Sequence, residues 1–138
     1  MRAILVGLAA LLVVGRAGAQ PAVSERVDAW RASGQYFTWT STLPENAGRP
    51  VQVFYACAGD ASKPAMLMVH GFPTSSLDFA PLIGELKADF RICTLDFPGY
   101  GLSDKPGSGY RYTLADDARL LWTFVTKTVP MREFVLLS

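Results

Sequence analysis

Two segments of the chain contain residues that could move protons or attack a substrate. His70 is the only histidine, and imidazole is the side chain most often used for proton transfer near neutral pH. Ser103 follows a glycine by two positions, as a serine nucleophile does in a G-x-S-x-G turn between a strand and a helix. Lys105 stands where that turn needs its second glycine, and Pro106 follows it. We therefore interpret residues 96–106 as a structural loop, in which Asp96 and Ser103 bond to nearby backbone.

A metal site is the second kind of chemistry to consider. Asp116 and Asp117 are adjacent and could be read as a pair of metal ligands. One histidine and two cysteines without a CxxC spacing are too few for a typical zinc site. Both carboxylates come just after Thr113, a candidate helix cap, where a negative charge is favoured by the helix dipole and Asp116 would form a capping-box-like pair. We expect no metal and no cofactor.

Five short segments have the composition of β-strands. The first two are aromatic and β-branched and are joined by a Pro-, Asn- and Gly-rich turn, so they predict a hairpin. The other three are short, mostly apolar runs, typical of strands that are buried on both faces of a parallel sheet. The predicted strands are Tyr36–Thr40, Val51–Tyr55, Ala65–Val69, Arg91–Leu95 and Phe134–Leu137.

Three helices are predicted around these strands. A short one near the start has Ser24 as its cap, Val27 and Trp30 on one face, and Gly34 as its end. A second covers Pro81–Lys87, between the third and fourth strands. A third follows Thr113, before the fifth strand. Its expected buried stripe consists of Leu114, Ala118, Leu121, Trp122 and Val125.

The order of the elements predicts an α/β fold. A hairpin followed by alternating strands and helices favours a mostly parallel sheet with an antiparallel edge hairpin and helices on both faces. The net charge of +1 offers no basic field for nucleic acid and no acidic surface for a cationic partner. We therefore expect no nucleic-acid partner, while the oligomeric state stays open.

The first nineteen residues have the pattern of a secretory signal peptide. Arg2 precedes the apolar run Ala3–Val14, and Ala17-Gly18-Ala19 fits a cleavage site. A helix of about 18 Å is well short of the roughly 30 Å hydrocarbon core, so we expect no stable membrane span, although a short anchor or a buried helix is the alternative. The chain then divides into a signal peptide (1–19), an N-terminal helical segment (20–34) and a partial core (35–138) of a secreted or periplasmic protein.

Two motifs carry a resemblance to a known family. His70-Gly71-Phe72-Pro73 follows the third predicted strand, and Asp96-Phe97-Pro98-Gly99-Tyr100-Gly101-Leu102-Ser103 follows the fourth. They resemble the HGxP and D-x-x-G-x-G-x-S motifs of the α/β-hydrolase superfamily. The closest likeness is to its epoxide hydrolase, haloalkane dehalogenase and mesoderm-specific-transcript-like branch, over about residues 36–138.

The resemblance implies roles for the first motif. The backbone N–H of Phe72 would donate to the oxyanion hole. Gly71 would let the chain turn sharply without a Cβ, and Pro73 would fix the loop, with a cis bond to Phe72 as one option. His70 would be a polar neighbour of this loop and not the catalytic base, because the family's catalytic histidine comes much later. Phe72 also stands where haloalkane dehalogenases commonly have Asn, which disfavours dehalogenation.

The resemblance also implies that the catalytic residues are missing. Phe134–Leu137 would be the strand that leads into the nucleophile, and Ser138 would fall two positions before it. The nucleophile (Asp or Ser), the lid, the acidic partner and the catalytic histidine would then lie beyond the chain. We expect the N-terminal fragment of a hydrolase for an epoxide, ester or similar small substrate, inactive by itself. The alternative is a non-catalytic relative with a binding role or none, although its last strand would then be an unprotected edge.

The same fold brings the two cysteines near each other. It would place the second and fourth strands side by side and antiparallel, with Cys57 late in one and Cys93 early in the other. Whether they bond depends on pleat and register. We expect two buried free thiols.

Overall fold

One five-stranded sheet organises the part of the chain that the structure describes. The computed structural model describes residues 21–138, so the predicted signal peptide lies outside the described residues. The strands lie in the order β1-β2-β4-β3-β5. β1 and β2 form an antiparallel hairpin, β2 pairs antiparallel with β4, and β3 pairs parallel with β4 and β5. These strands are β1 (Gln35–Thr40), β2 (Pro50–Ala58), β3 (Ala65–Val69), β4 (Arg91–Leu95) and β5 (Val135–Leu137).

Helices cover both faces of this sheet, as predicted. α1 (Val23–Ala32) and α2 (Ala80–Leu86) pack on one face, and α3 (Leu114–Thr123) packs on the other. Ser24 is not the cap of α1, because the helix begins one residue earlier, after Ala22. There the Ala22 N–H donates to Oε2 of Glu25 at 3.2 Å, so an acidic side chain satisfies the free backbone donor. No helix within residues 21–138 is both long and apolar enough to cross a bilayer.

The two cores lie on opposite faces because side chains alternate along each strand. On the α3 face, Leu67 and Leu95 pack with Leu120 and Phe124. On the other face, Phe54, Met68 and Ile92 pack against Trp30 of α1 and Ile83 of α2. Both faces of β2, β3 and β4 are therefore buried for much of their length.

The buried side of α3 differs from the predicted stripe. Leu114 and Trp122 are 87% and 70% exposed, and Ala118 is exposed as well. Leu121 is half-buried and Val125 is buried, as expected. The helix turns Asp116 and Leu120 inward because Asp116 joins a polar network with the loops beside it. A tertiary contact has thus overridden the apolar periodicity.

The last strand is also less buried than its composition predicts. Val135 and Leu136 of β5 are both exposed, and only Leu137 is half-buried. β5 pairs with β3 along one edge only, and it ends the strand order. Apolar residues at successive positions predict a buried strand here, but burial requires cover on both faces of the sheet.

The two cysteines form a disulfide, so the prediction of two free buried thiols is wrong. Cys57 of β2 and Cys93 of β4 are direct partners in the antiparallel register, with Cα atoms 4.2 Å apart. Both side chains point to the same face of the sheet, which is what a cross-strand bond requires. Cys93 is buried and Cys57 is exposed. The strand order places β2 next to β4, and the register of this pair sets Cys57 directly opposite Cys93.

Candidate active site

The candidate active site lies where β3 and β4 end at the same edge of the sheet. His70 follows β3 and is buried, and its ring is held at both nitrogens. The backbone N–H of Phe97 donates to Nε2 at 3.0 Å, and Nδ1 is 3.0 Å from the carbonyl oxygen of Gly71. A backbone N–H only donates, so these partners assign the proton to Nδ1. The ring therefore links the two loops. That His70 is a polar neighbour of the loop and not the base stays a prediction.

The loop after β3 has backbone donors without hydrogen bonds within residues 21–138, and the Phe72 N–H is one of them. The Phe72–Pro73 bond is cis, and the Phe72 side chain is 84% exposed. Within residues 21–138 the Phe72 N–H makes no hydrogen bond. The turn is instead closed by Thr74, whose N–H and Oγ1 donate to the Gly71 carbonyl at 3.0 and 2.9 Å. The predicted oxyanion donor is therefore in a fixed turn with an unoccupied N–H.

Gly71 does not need to be glycine for the reason predicted. Its φ is not positive, and a Cβ built on it would meet no atom within 4 Å among the described residues. The hydrogen bonds of Thr74 to the Gly71 carbonyl make the turn, and they require no missing Cβ.

The loop after β4 is organised by a buried carboxylate. Asp96 is fully buried, and its Oδ1 and Oδ2 accept from the backbone N–H groups of Ser76 and Leu102, each at 2.7 Å. Gly101 has φ of +46° and approaches the same carboxylate so closely that a Cβ would overlap it. Asp96 therefore fixes both loops at once, and this explains why position 101 is glycine.

Ser103 is a structural residue, as predicted. It is buried, its Oγ donates to the Asp96 carbonyl at 2.6 Å, and it accepts from the Phe54 N–H at 2.9 Å. The hydroxyl thus joins the loop after β4 to β2. With both directions of its hydrogen bonding used by backbone, it is not available as a nucleophile.

A support for the site that the sequence analysis missed comes from α1. Nε1 of the buried Trp30 donates to Oγ of Ser76 at 3.1 Å, and the Ser76 N–H donates to Asp96. The N-terminal helix is thereby linked to both loops through two hydrogen bonds. An indole buried beside a polar turn needs such an acceptor, but the sequence did not indicate which residue would supply it.

Asp116 is part of a buried polar network and not of a capping box. Thr113 caps α3, accepting from the Asp116 N–H at 3.2 Å, as predicted. The Asp116 carboxylate turns away from the cap. It accepts from Ser41 at 2.5 Å, Asn46 at 2.7 Å and Tyr110 at 3.3 Å. These bonds fix the end of the long loop that begins at Asp96.

This network changes the acidity of its neighbours. Burial, followed by the charge of Asp116, raises the pKa of Asp117 to about 6. Burial and the adjacent Asp116 carboxylate also raise the pKa of the Tyr110 hydroxyl. The sequence predicts that Asp116 and Asp117 serve the helix dipole alone, but Asp116 is buried and Asp117 is half-buried. In the described part of the chain no group of three His, Cys, Asp or Glu side chains comes together to hold a metal ion.

Aromatic rings surround the exposed loop. The Phe72 and Tyr100 rings meet edge to face with centroids 6.4 Å apart, and the His70 ring lies 5.3 Å from that of Tyr100 and 5.1 Å from that of Phe97. The loop that contains the Phe72 N–H therefore carries an aromatic cluster. Such an arrangement can bind an oxyanion of a small, partly apolar molecule.

Comparison with known proteins places these loops in a family. The sequence model described as alpha/beta hydrolase fold matches residues 64–137, which include both loops. LipZ of Mycobacterium tuberculosis, which its name classes as a hydrolase, is 38% identical over 113 residues, or 82% of this chain and 35% of that protein. The human mesoderm-specific transcript homolog protein is 32% identical over 104 residues, or 73% and 28%. Mouse epoxide hydrolase 4 is 40% identical over 60 residues, or 44% and 17%.

Solved structures agree in fold. A haloalkane dehalogenase of Bradyrhizobium elkanii superposes with a TM-score of 0.59 at 22% identity, over 75% of this chain and 32% of that one. The chain spans about a third of the length of the LipZ relative. The likeness covers the sheet and the two loops, and on these grounds the chain belongs to the α/β-hydrolase fold family.

Proposed function

We propose that the chain supplies the oxyanion loop of an exported hydrolase that acts on an epoxide, an ester or a similar small substrate. In this proposal an Asp or Ser nucleophile forms a covalent intermediate, and a histidine-activated water resolves it. The single histidine of the chain is committed to Phe97 and Gly71. The proposal therefore assigns the general base to a residue other than His70.

The observation that carries the proposal is the free Phe72 N–H. It stands in a turn that is closed by Thr74, and Nδ1 of His70 lies 3.0 Å from the Gly71 carbonyl oxygen of the same turn. When an acyl or ester carbon becomes tetrahedral, its oxygen gains negative charge, and a donor fixed in advance stabilises that charge without reorganisation. The Phe72 N–H would be such a donor for the developing oxyanion.

The substrate class rests on the side chain at position 72. A phenyl ring offers no hydrogen bond, so it cannot help to hold a halide as an amide would. It offers apolar contact instead, together with Tyr100. The similarity to mouse epoxide hydrolase 4 also supports an epoxide as the substrate. An epoxide or an ester with an apolar group is therefore the proposed substrate.

Export is supported by two independent features. Residues 1–19 have the charge, apolar run and small-residue end of a signal peptide. The Cys57–Cys93 disulfide is of the kind that persists in oxidising compartments and is rare in the cytosol. The proposed location is therefore the periplasm or the outside of the cell.

The experiment is the capture of the native protein from its source with an antibody raised against residues 21–138. Captured material from the exported fraction is assayed on styrene oxide and p-nitrophenyl butyrate, and its intact mass is measured. We expect hydrolysis of at least one substrate by a protein heavier than the 15.0 kDa of this chain. Captured protein of the mass of residues 20–138 with no hydrolysis would favour the non-catalytic alternative, and recovery from the cytosol alone would contradict export.

A further inference from the structure

The outer face of α3 is apolar, although the outer face of a surface helix is ordinarily polar. Leu114, Ala118 and Trp122 follow at four-residue spacing and therefore share one side of the helix. All three are exposed. The other two tryptophans of the chain, Trp30 and Trp39, are buried. Within residues 21–138, no side chain covers most of the Trp122 indole.

The charged side chains of this segment are separated by sign. Asp116 is buried in the network with Ser41 and Asn46, and Asp117 is half-buried with a raised pKa. The exposed charges between residues 114 and 128 are both cationic, namely Arg119 and Lys127. We call Leu114, Ala118, Arg119, Trp122 and Lys127 the α3 outer surface.

The cations and the indole belong to one continuous surface. Arg119, Trp122 and Lys127 line the same groove of about 430 Å³ between α3 and the end of β1. Arg119 is held there, because its guanidinium donates to Oγ1 of Thr42 at 2.7 Å. Aromatic and cationic side chains are therefore next to each other on this surface.

We propose that the α3 outer surface docks the protein peripherally on an anionic lipid surface. Trp residues favour the interface between hydrocarbon and headgroups, because the ring is apolar and its N–H still finds a partner. Lys and Arg beside such a ring are attracted to anionic headgroups. A second copy of the chain is a poorer occupant, because two such surfaces face to face would bring Arg119 and Lys127 against like charges.

The test uses vesicles of phosphatidylcholine alone and of phosphatidylcholine mixed with phosphatidylglycerol, both with brominated acyl chains. Bromine quenches only indoles that reach the acyl region, and Trp122 is the exposed indole. We expect quenching of the whole chain on the mixed vesicles, loss of that quenching in Trp122→Phe, and binding weakened at least about tenfold in the double variant Arg119→Gln, Lys127→Gln.

A matched control distinguishes binding through the α3 outer surface from nonspecific hydrophobic binding. Leu114→Ser and Leu82→Ser make the same change at two exposed leucines, and Leu82 is on α2, on the opposite face of the sheet. We expect only Leu114→Ser to weaken binding. Residues 1–20 are the same in all variants, so they cannot produce a difference. The proposal would be overturned by equal binding to both vesicle types or by equal effects of the two serine variants. It would also be overturned if the chain self-associates, Trp122→Ser abolishes that self-association, and no quenching is seen.

Discussion

Nε2 of His70 accepts a hydrogen bond from the backbone N–H of Phe97, and the two nitrogens are 3.0 Å apart. This bond joins the loop after β3 to the loop after β4, and the ring is buried between them. His70 therefore stabilises the candidate oxyanion loop. If His70 acted as a base at Nε2, it would lose the hydrogen bond from Phe97 each time it accepted a proton.

Replacing His70 should destabilise the fold. His70→Ala leaves the buried Phe97 N–H without an acceptor, and an unsatisfied buried donor costs about 1–3 kcal/mol of unfolding free energy. Urea unfolding followed by circular dichroism measures the change. His70→Gln keeps a side-chain acceptor and should recover part of the loss. Equal stability of His70→Ala and the parent chain would show that the bond to Phe97 does not support the loops.

Two glycines of the candidate site should respond differently to a Cβ. In Gly101→Ala the new methyl group overlaps the Asp96 carboxylate, and the residue must keep a positive φ, so we expect a loss of about 2–4 kcal/mol. Gly71→Ala meets open space and should stay within about 0.5 kcal/mol of the parent. Denaturant midpoints of the pair check this. A larger loss at Gly71 than at Gly101 would contradict the described loop geometry.

The cysteines should contain no free thiol. Denatured, unreduced protein should give no reaction with a thiol reagent, and two thiols should react after reduction, because Cys57 and Cys93 are bonded. The chain has only these two cysteines, so the count is unambiguous. Two reactive thiols before reduction, in protein taken from an oxidising compartment, would contradict the cross-strand bond.

Asp117 should make stability depend on pH. Its pKa rises from 3.8 to about 6 in the folded protein, so the folded state binds the proton more tightly than the unfolded state. Stability from this group is therefore present below about pH 4 and is lost as the pH rises through 6. Asp117→Asn should raise the unfolding temperature above pH 6 and change it little near pH 4. A difference between the two proteins that is independent of pH would contradict the raised pKa.

The sequence predicted the sheet better than the outer surfaces. β3 and β4 were placed to the residue, because each is a five-residue, mostly apolar run between turn residues. The loop roles of Asp96 and Ser103 were also predicted, since a proline and a lysine excluded a nucleophile turn. These are local signals, which a single sequence carries.

The errors concern contacts between distant residues. α3 offers two apolar sides, and the choice between them depends on Asp116 reaching Ser41 and Asn46, which are 75 and 70 residues away in the chain. The Cys57–Cys93 bond depends on strand register, and the Trp30–Ser76 bond depends on where α1 docks. No periodicity encodes such partners, so these contacts required the structure.

The most direct test of the central claim is the removal of the Phe72 N–H. Phe72→Pro lacks the amide proton, whereas Phe72→Leu keeps it and changes only the side chain. Both are compared in the recombinant hydrolase identified by the capture experiment, with thermal unfolding as the check on folding. We predict that kcat for the substrate that the captured protein hydrolyses, styrene oxide or p-nitrophenyl butyrate, falls about 100- to 1000-fold in Phe72→Pro and less than about tenfold in Phe72→Leu. Equal kcat values in two equally stable variants would contradict the assignment of Phe72 as the oxyanion donor.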